Sequence, residues 1–185
     1  MRLYIGLVHY PVYNKNYEII ASAITTLDLH DLARLARTYD VRRFFVITPL
    51  DDQRTLAERV RRHWTEGYGA KYNRHRKEAI GLIGVVSSLE QAIDEIAQSE
   101  GEAPLLIATD ASRQKDRSVS CEKAREIIQR GEKAVILIFG TAWGLDKAIL
   151  GLADYVLEPV SGRTGYNHLS VRTAAAIVLD RLAGR

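Results

Sequence analysis

Apolar residues along this chain fall in short continuous runs, separated by longer stretches in which they recur every three or four positions. The runs are Leu3–His9, Phe44–Thr48, Leu82–Val86, Leu105–Thr109, Ala134–Phe139 and Tyr155–Leu157. They are rich in Val, Ile and Leu and mostly lack polar alternation, the pattern of strands covered on both faces, as in a parallel sheet. Helical spacing appears between them at Leu29, Leu32, Ala33, Leu35 and Ala36, then at Leu56, Val60 and Trp64. It returns at Leu89, Ile93 and Ile96, at Ala124, Ile127 and Ile128, and in an Ala-rich stretch running to about Leu182. Strand and helix alternate throughout, which predicts an α/β fold with a mainly parallel sheet and helices on both faces, in a single domain over 1–185.

Cap signals mark several helix starts: Asp51 or Asp52 after Pro49, Ser87 or Ser88 before Glu90 and Gln91, and Ser120 before Glu122. Three polar segments break the rhythm: 10–17, 67–77 and 110–117. The first and third follow strands, so they border whatever site the strand ends create.

That site is best marked between 134 and 182. The run Ala134–Phe139 ends in Gly140, and Thr141-Ala142-Trp143-Gly144-Leu145 follows; Tyr155–Leu157 ends in Glu158-Pro159-Val160-Ser161-Gly162. Tyr166-Asn167-His168-Leu169-Ser170-Val171 then opens the last helix. Small ligands bind beyond the carboxyl ends of parallel strands, and a helix start offers unpaired backbone N–H groups. Gly140, Gly144 and Gly162 suit close ligand approach or ordinary turns.

Composition narrows the classes. The chain has 185 residues, a net charge of +3 and one cysteine, Cys121. No internal disulfide can form and no apolar stretch approaches the ~18 residues of a membrane span, so a cytoplasmic protein is expected. The N-terminal run lacks the features of a signal peptide. His9, His63, His75 and His168 have no metal-ligand spacing, so no metal site is expected. A Walker loop, a Gly-x-Ser-x-Gly elbow and a dinucleotide fingerprint are all missing.

Charge distribution says more than its total. Arg59, Arg61, Arg62, Lys71, Arg74, Arg76 and Lys77 lie in one stretch with a single acid, Glu66, and with Trp64, Tyr68 and Tyr72 interleaved. Cations for phosphates with aromatics for stacked bases suit single-stranded or looped RNA, although the same pattern also describes a solvated face. Arg113, Lys115 and Arg117 extend the patch if the fold brings them near. Asp28, His30 and Asp31 precede Arg34 and Arg37 on the first helix. Together they suit orientation of a hydroxyl or transfer of a proton; alternatively Asp28 is an N-cap and the arginines are solvated.

The motifs of 134–182 resemble those of SPOUT RNA methyltransferases, closest to a bacterial subgroup dependent on S-adenosylmethionine (SAM). Their three motifs are a Gly-bearing strand end, a Pro-x-x-Gly strand end and a Leu-Asn-x-Ser-x-Ala-Ala-Ala helix start. The stretch 28–41 resembles the family's first motif, with Arg34 on its arginine and Asp28 on its asparagine. The resemblance implies a C-terminal trefoil knot and a homodimer acting on tRNA or rRNA. It implies a SAM site lined by Thr109, Phe139, Gly140, Thr141, Trp143, Gly144, Leu157, Pro159, Val160, Gly162, Asn167, His168, Leu169 and Ser170. Catalysis would involve Arg34, assisted by Asp28, His30 or Asp31, and RNA would lie on Arg59, Arg62, Lys71, Arg74, Arg76 and Lys77. Thr141 and Ala142 stand where the ribose-methylating branch has Asn-Glu, so a base nitrogen such as guanine N1 is as well supported an acceptor as a ribose 2′-hydroxyl. The same departures motivate the alternative of a non-catalytic SAM- or adenine-nucleotide-binding, RNA-binding module.

Overall fold

A computed structural model describes residues 1–114 and 117–185. In chain order the elements of its first half are β1 (Leu3–Val8), β2 (Val12–Tyr13), β3 (Ile19–Ile20), α1 (Thr26–Thr38), β4 (Arg43–Ile47), α2 (Asp51–Thr65), α3 (Tyr68–Tyr72), α4 (Arg74–Ile80) and β5 (Ile83–Val86). There follow α5 (Leu89–Glu100), β6 (Leu105–Thr109), β7 (Ser118–Val119), α6 (Cys121–Arg130), β8 (Val135–Gly140), α7 (Lys147–Leu152), β9 (Tyr155–Leu157) and α8 (Val171–Ala183). Among the described residues, seven strands form one sheet in the order β5-β4-β1-β8-β6-β9-β7, every neighbouring pair parallel. The six continuous apolar runs are six of these strands.

Alternate strand residues enter two separate cores, as the pleat requires. One face gathers Leu3, Ile5, Leu7, Phe44, Leu137 and Phe139 against α1, α2, α4, α6 and α8. The other gathers Tyr4, Val8, Phe45, Ile136 and Ile138 against α5, α7 and the small β2–β3 ribbon. Burying each large side chain contributes about 1.5–3 kcal/mol, so the three layers are held mainly by these two cores.

Strand register levels the carboxyl ends. Val8 pairs with both Ile47 and Gly140, Ala108 with Ile138, and Thr109 with Leu157. The loops that leave β1, β6, β8 and β9 therefore share one rim.

Helix starts differ from the predicted caps at two places. Thr25, not Asp28, caps α1: its hydroxyl oxygen accepts from Asp28 N at 3.1 Å while the hydroxyl donates to Asp28 Oδ2 at 2.6 Å. Leu50 precedes α2 with no side-chain cap, and Asp51 lies inside the helix paired with Arg54. Ser88 and Ser120 cap α5 and α6 as expected, accepting from Gln91 N and Lys123 N. The segment 67–77, predicted as a break, folds as α3 and most of α4, with Asn73 capping α4 by accepting from Arg76 N at 2.9 Å.

Candidate functional site

Three loops and one helix start meet beyond β6, β8 and β9, which are adjacent in the sheet. Phe139 is buried at the end of β8, and Leu157 is buried at the end of β9. Thr109, at the end of β6, donates from its hydroxyl to Ile138 O at 3.0 Å, tying β6 to β8. Asn167 Nδ2 donates to Ala111 O at 2.7 Å, so the turn before α8 is fastened to the loop after β6. Ser170 caps α8, accepting from Thr173 N at 3.3 Å. Pro159 and Val160 are half-buried, while Gly162, His168, Leu169 and Ser170 are exposed. Glu158 faces Arg113 at 3.5 Å.

The loop after β8 is rigidly seated. A β-carbon on Gly140 would lie 2.7 Å from Leu145 N, closer than such contacts allow, so only glycine permits this return of the chain. Gly144 adopts φ 103° and Ala142 φ 52°, the left-handed region. Trp143 N donates to Tyr13 O at 2.9 Å and Tyr13 N to Gly144 O at 3.0 Å, lacing the loop onto β2. Thr141 donates to Val8 O at 3.0 Å and lies 2.5 Å from the Ser22 hydroxyl, which lies 3.0 Å from His9 Nδ1. His9 is fully buried, and its Nε2 has no partner among the described residues. Burial pushes its pKa down to about 4, against the opposing pull of Asp28.

The four residues expected to act in catalysis diverge around α1. Asp28 is buried, with Oδ1 accepting from Arg172 Nη1 at 2.7 Å and Oδ2 from Thr25. Asp31 reaches Arg172 Nε at 3.4 Å. His30 turns the other way, edge-on to Trp64 with ring centroids 5.4 Å apart, and burial together with the nearby Arg76 holds its pKa low. Arg34 is exposed and lines a cleft of about 310 Å³ between α1 and α4, with Arg37, Asn73, His75 and Arg76.

The basic residues lie on that same flank. Arg59, Arg62, Lys71, Arg74 and Lys77 are exposed, and Arg76 is half-buried with its guanidinium 5.0 Å above the Trp64 ring. Arg74 and Arg37 share Glu78, and Arg61 pairs with Glu58. The proposed extension through Arg113 and Arg117 does not join this patch. Arg117 donates to Gly151 O and Ala153 O at the β7 edge, and α2 packs at the opposite edge beside β5. Lys115 lies outside the described residues.

A family model described as SAM-dependent RNA methyltransferase matches residues 2–184. The chain belongs to this family. The family depends on S-adenosylmethionine, which is therefore the cofactor. A tRNA (guanine-N(1)-)-methyltransferase of Oleidesulfovibrio alaskensis is 44% identical over 182 residues, covering 98% of this chain and 42% of the relative. An uncharacterised protein of Aquifex aeolicus is 38% identical over 183 residues, covering 99% of this chain and 89% of the relative. The chain thus spans less than half of the first relative. Among solved structures, the SpoU methyltransferase AviRb of Streptomyces viridochromogenes in complex with AdoMet superposes with a TM-score of 0.57 at 18% identity, over 98% of this chain and 58% of that one. The shared fold is that of SPOUT methyltransferases.

The rim fits the family's cofactor on its own chemistry. Trp143 and Leu169 expose large apolar faces (62% and 44%), as a flat adenine requires, beside backbone-rich loops whose N–H and C=O groups suit its polar edge and the ribose hydroxyls. Open space lies where Gly144 and Gly162 would carry a β-carbon. Two structural features went unread in the sequence. Arg172 joins α8 to α1 across 144 residues, which no local pattern announces. Thr25 was readable from its Thr-x-x-Asp spacing. Among the described residues no helix is long and apolar enough to cross a membrane.

Proposed function

We propose that the protein transfers a methyl group from SAM to tRNA or rRNA, with the donor on the rim of β6, β8 and β9. The observation that carries this reading is the convergence of all three C-terminal motifs at adjacent strand ends, within a chain matched by the family over 2–184. Phe139, Gly140, Thr141, Trp143 and Gly144 hold the donor from one side; Leu157, Pro159, Val160 and Gly162 and the turn Asn167–Ser170 hold it from the other. Bound SAM supplies a methyl carbon made electrophilic by its sulfonium. The chain need then only orient the acceptor in line and exclude water. Arg34, beside Arg37 and Arg76, acts as an orienting cation for RNA. Both oxygens of Asp28 are engaged, so Asp31, half-exposed, is the carboxylate that accepts the proton lost by the acceptor.

The acceptor is a base nitrogen such as guanine N1, or a ribose 2′-hydroxyl. The relative's guanine-N1 name belongs to a protein of which this chain matches 42%. Two copies associate partly through α8, with α1 of one completing the partner's site; exposed Leu27, at the start of α1, which packs on α8, supports this. A trefoil knot is supported by β9 entering the sheet between β6 and β7, both earlier in the chain.

Labelled SAM incubated with bulk RNA from a strain lacking the gene tests the reaction. Transfer to tRNA or rRNA is expected, and nucleoside mass spectrometry separates base from ribose products. Absence of label with SAM binding intact by calorimetry overturns catalysis in favour of a binding module.

A further inference from the structure

The segment 67–77 builds a surface that the cofactor rim does not need. Gly69 is buried against Trp64, where a β-carbon would lie 2.6 Å from Cε3. Trp64 is fixed in turn, with His30 and His63 edge-on at 5.4 and 5.2 Å and Arg76 over its face at 5.0 Å. Its ring is therefore consumed by packing and is not the stacking residue that the sequence suggested. Its role is to seat α3.

What α3 turns outward is a pair of tyrosines. Tyr68 and Tyr72 are 74% and 73% exposed, with ring centroids 6.1 Å apart and planes within 21°. One turn of helix thus presents two near-parallel aromatic faces to solvent at little burial gain. Tyr72 adjoins Asn73, which lines the 310 Å³ cleft together with Arg34, Arg37 and Arg76. Exposed Lys71 and Arg74 flank it. Glu78 reaches Arg37 and Arg74 at 3.6 and 3.4 Å, leaving Arg34 and Arg76 without an ion pair among the described residues.

We propose that Tyr68 and Tyr72 stack an unpaired base of single-stranded or looped RNA, while Arg34, Arg37 and Arg76 hold the adjoining phosphate in the cleft between α1 and α4. This rests on the reading of RNA as substrate. Stacking on exposed rings tolerates any base, and guanidinium groups match phosphate. A second copy of the chain is a poorer occupant, since a two-fold contact would set Lys71, Arg74 and Arg76 against their own duplicates. A duplex keeps its bases stacked inside and offers the tyrosines nothing. The surface would therefore engage a nucleotide flanking the methylated one and select looped over paired RNA.

The test uses the full chain and fluorescence anisotropy with a short single-stranded oligoadenylate RNA and a matching duplex. Tyr68→Ala/Tyr72→Ala is expected to weaken single-strand binding by roughly tenfold to a hundredfold, at ~1–3 kcal/mol per stacked base, without changing its salt dependence. Tyr68→Phe/Tyr72→Phe keeps the aromatic faces and should retain affinity. Arg37→Gln should lower the salt slope by about one. SAM affinity, measured by calorimetry, verifies the fold of each variant. Wild-type affinity in the alanine variant overturns the proposal, as does an equal loss in the phenylalanine variant. A changed oligomeric state in the alanine variant also overturns it, in favour of a contact between copies. Because binding is read without turnover, failure of methyl transfer with these results intact counts against the reaction alone.

Discussion

Hydrogen-bond polarity fixes the state of one buried side chain. Thr141 donates its single hydroxyl proton to Val8 O, so it must accept from Ser22, and Ser22 must then accept from His9 Nδ1. His9 is therefore the Nδ1–H tautomer, and its unpartnered Nε2 carries a lone pair. Charging that ring would place a second, unpartnered N–H donor at Nε2 in the core, while the bonds from Nδ1 to the loop after β8 keep their direction. The folded pKa, about 4, lies below the ordinary 6.5, so the unfolded chain binds the extra proton between these values. Stability from this group is complete above pH 6.5 and is lost as pH falls toward 4, by about 3 kcal/mol in all. Denaturant unfolding at a series of pH values should show that loss in wild type and not in His9→Asn, which retains a donor toward Ser22. Equal slopes in both proteins would remove His9 as the source.

At the scale of elements, the loop between Gly140 and Leu145 is defined by close approach. Gly140→Ala must displace backbone at Leu145 N, not a flexible side chain, and such overpacking costs about 1–3 kcal/mol. The expected result is weaker SAM binding by calorimetry with little change in RNA affinity. Elements of this kind also show what could be read in advance. The strands β1, β4, β5, β6, β8 and β9 were legible because each is buried on both faces along most of its length and hence carries a continuous apolar run. The strands β2, β3 and β7 are two residues long, too short for any period. The helices α3 and α7, of five and six residues, complete less than two turns and show no stripe. Gly69 reads as a breaker in sequence, yet it is the residue that lets α3 lie against Trp64. The strand-end loops were legible because glycine marks a turn wherever the chain must fold back. How α1 divides its side chains was not, because Asp28 takes its direction from Arg172 on a distant helix and His30 from Trp64.

Across the whole molecule, two faces of one parallel sheet are packed differently. The face carrying α1, α2, α4, α6 and α8 holds both the basic flank and the start of the last helix, while α5, α7 and the β2–β3 ribbon brace the strand-end loops from the other side. Arg172 bridges these regions, lying two residues beyond Ser170 and bonding Asp28 and Asp31 on the helix that bears Arg34. Whatever stiffens the turn 167–170 therefore also removes freedom from α1, and the converse holds. With donor and acceptor placed as proposed, the two would share one entropy cost, and whichever arrives first would lower it for the other. By reciprocity, SAM should tighten RNA binding by the same factor by which RNA tightens SAM binding, within the usual range of about 5- to 150-fold. Calorimetry of each ligand with and without the other measures that factor, and Arg172→Gln should bring it close to one while leaving both separate affinities nearer their original values. A bond between two helices would in this way make the filling of the two sites cooperative, whichever ligand comes first.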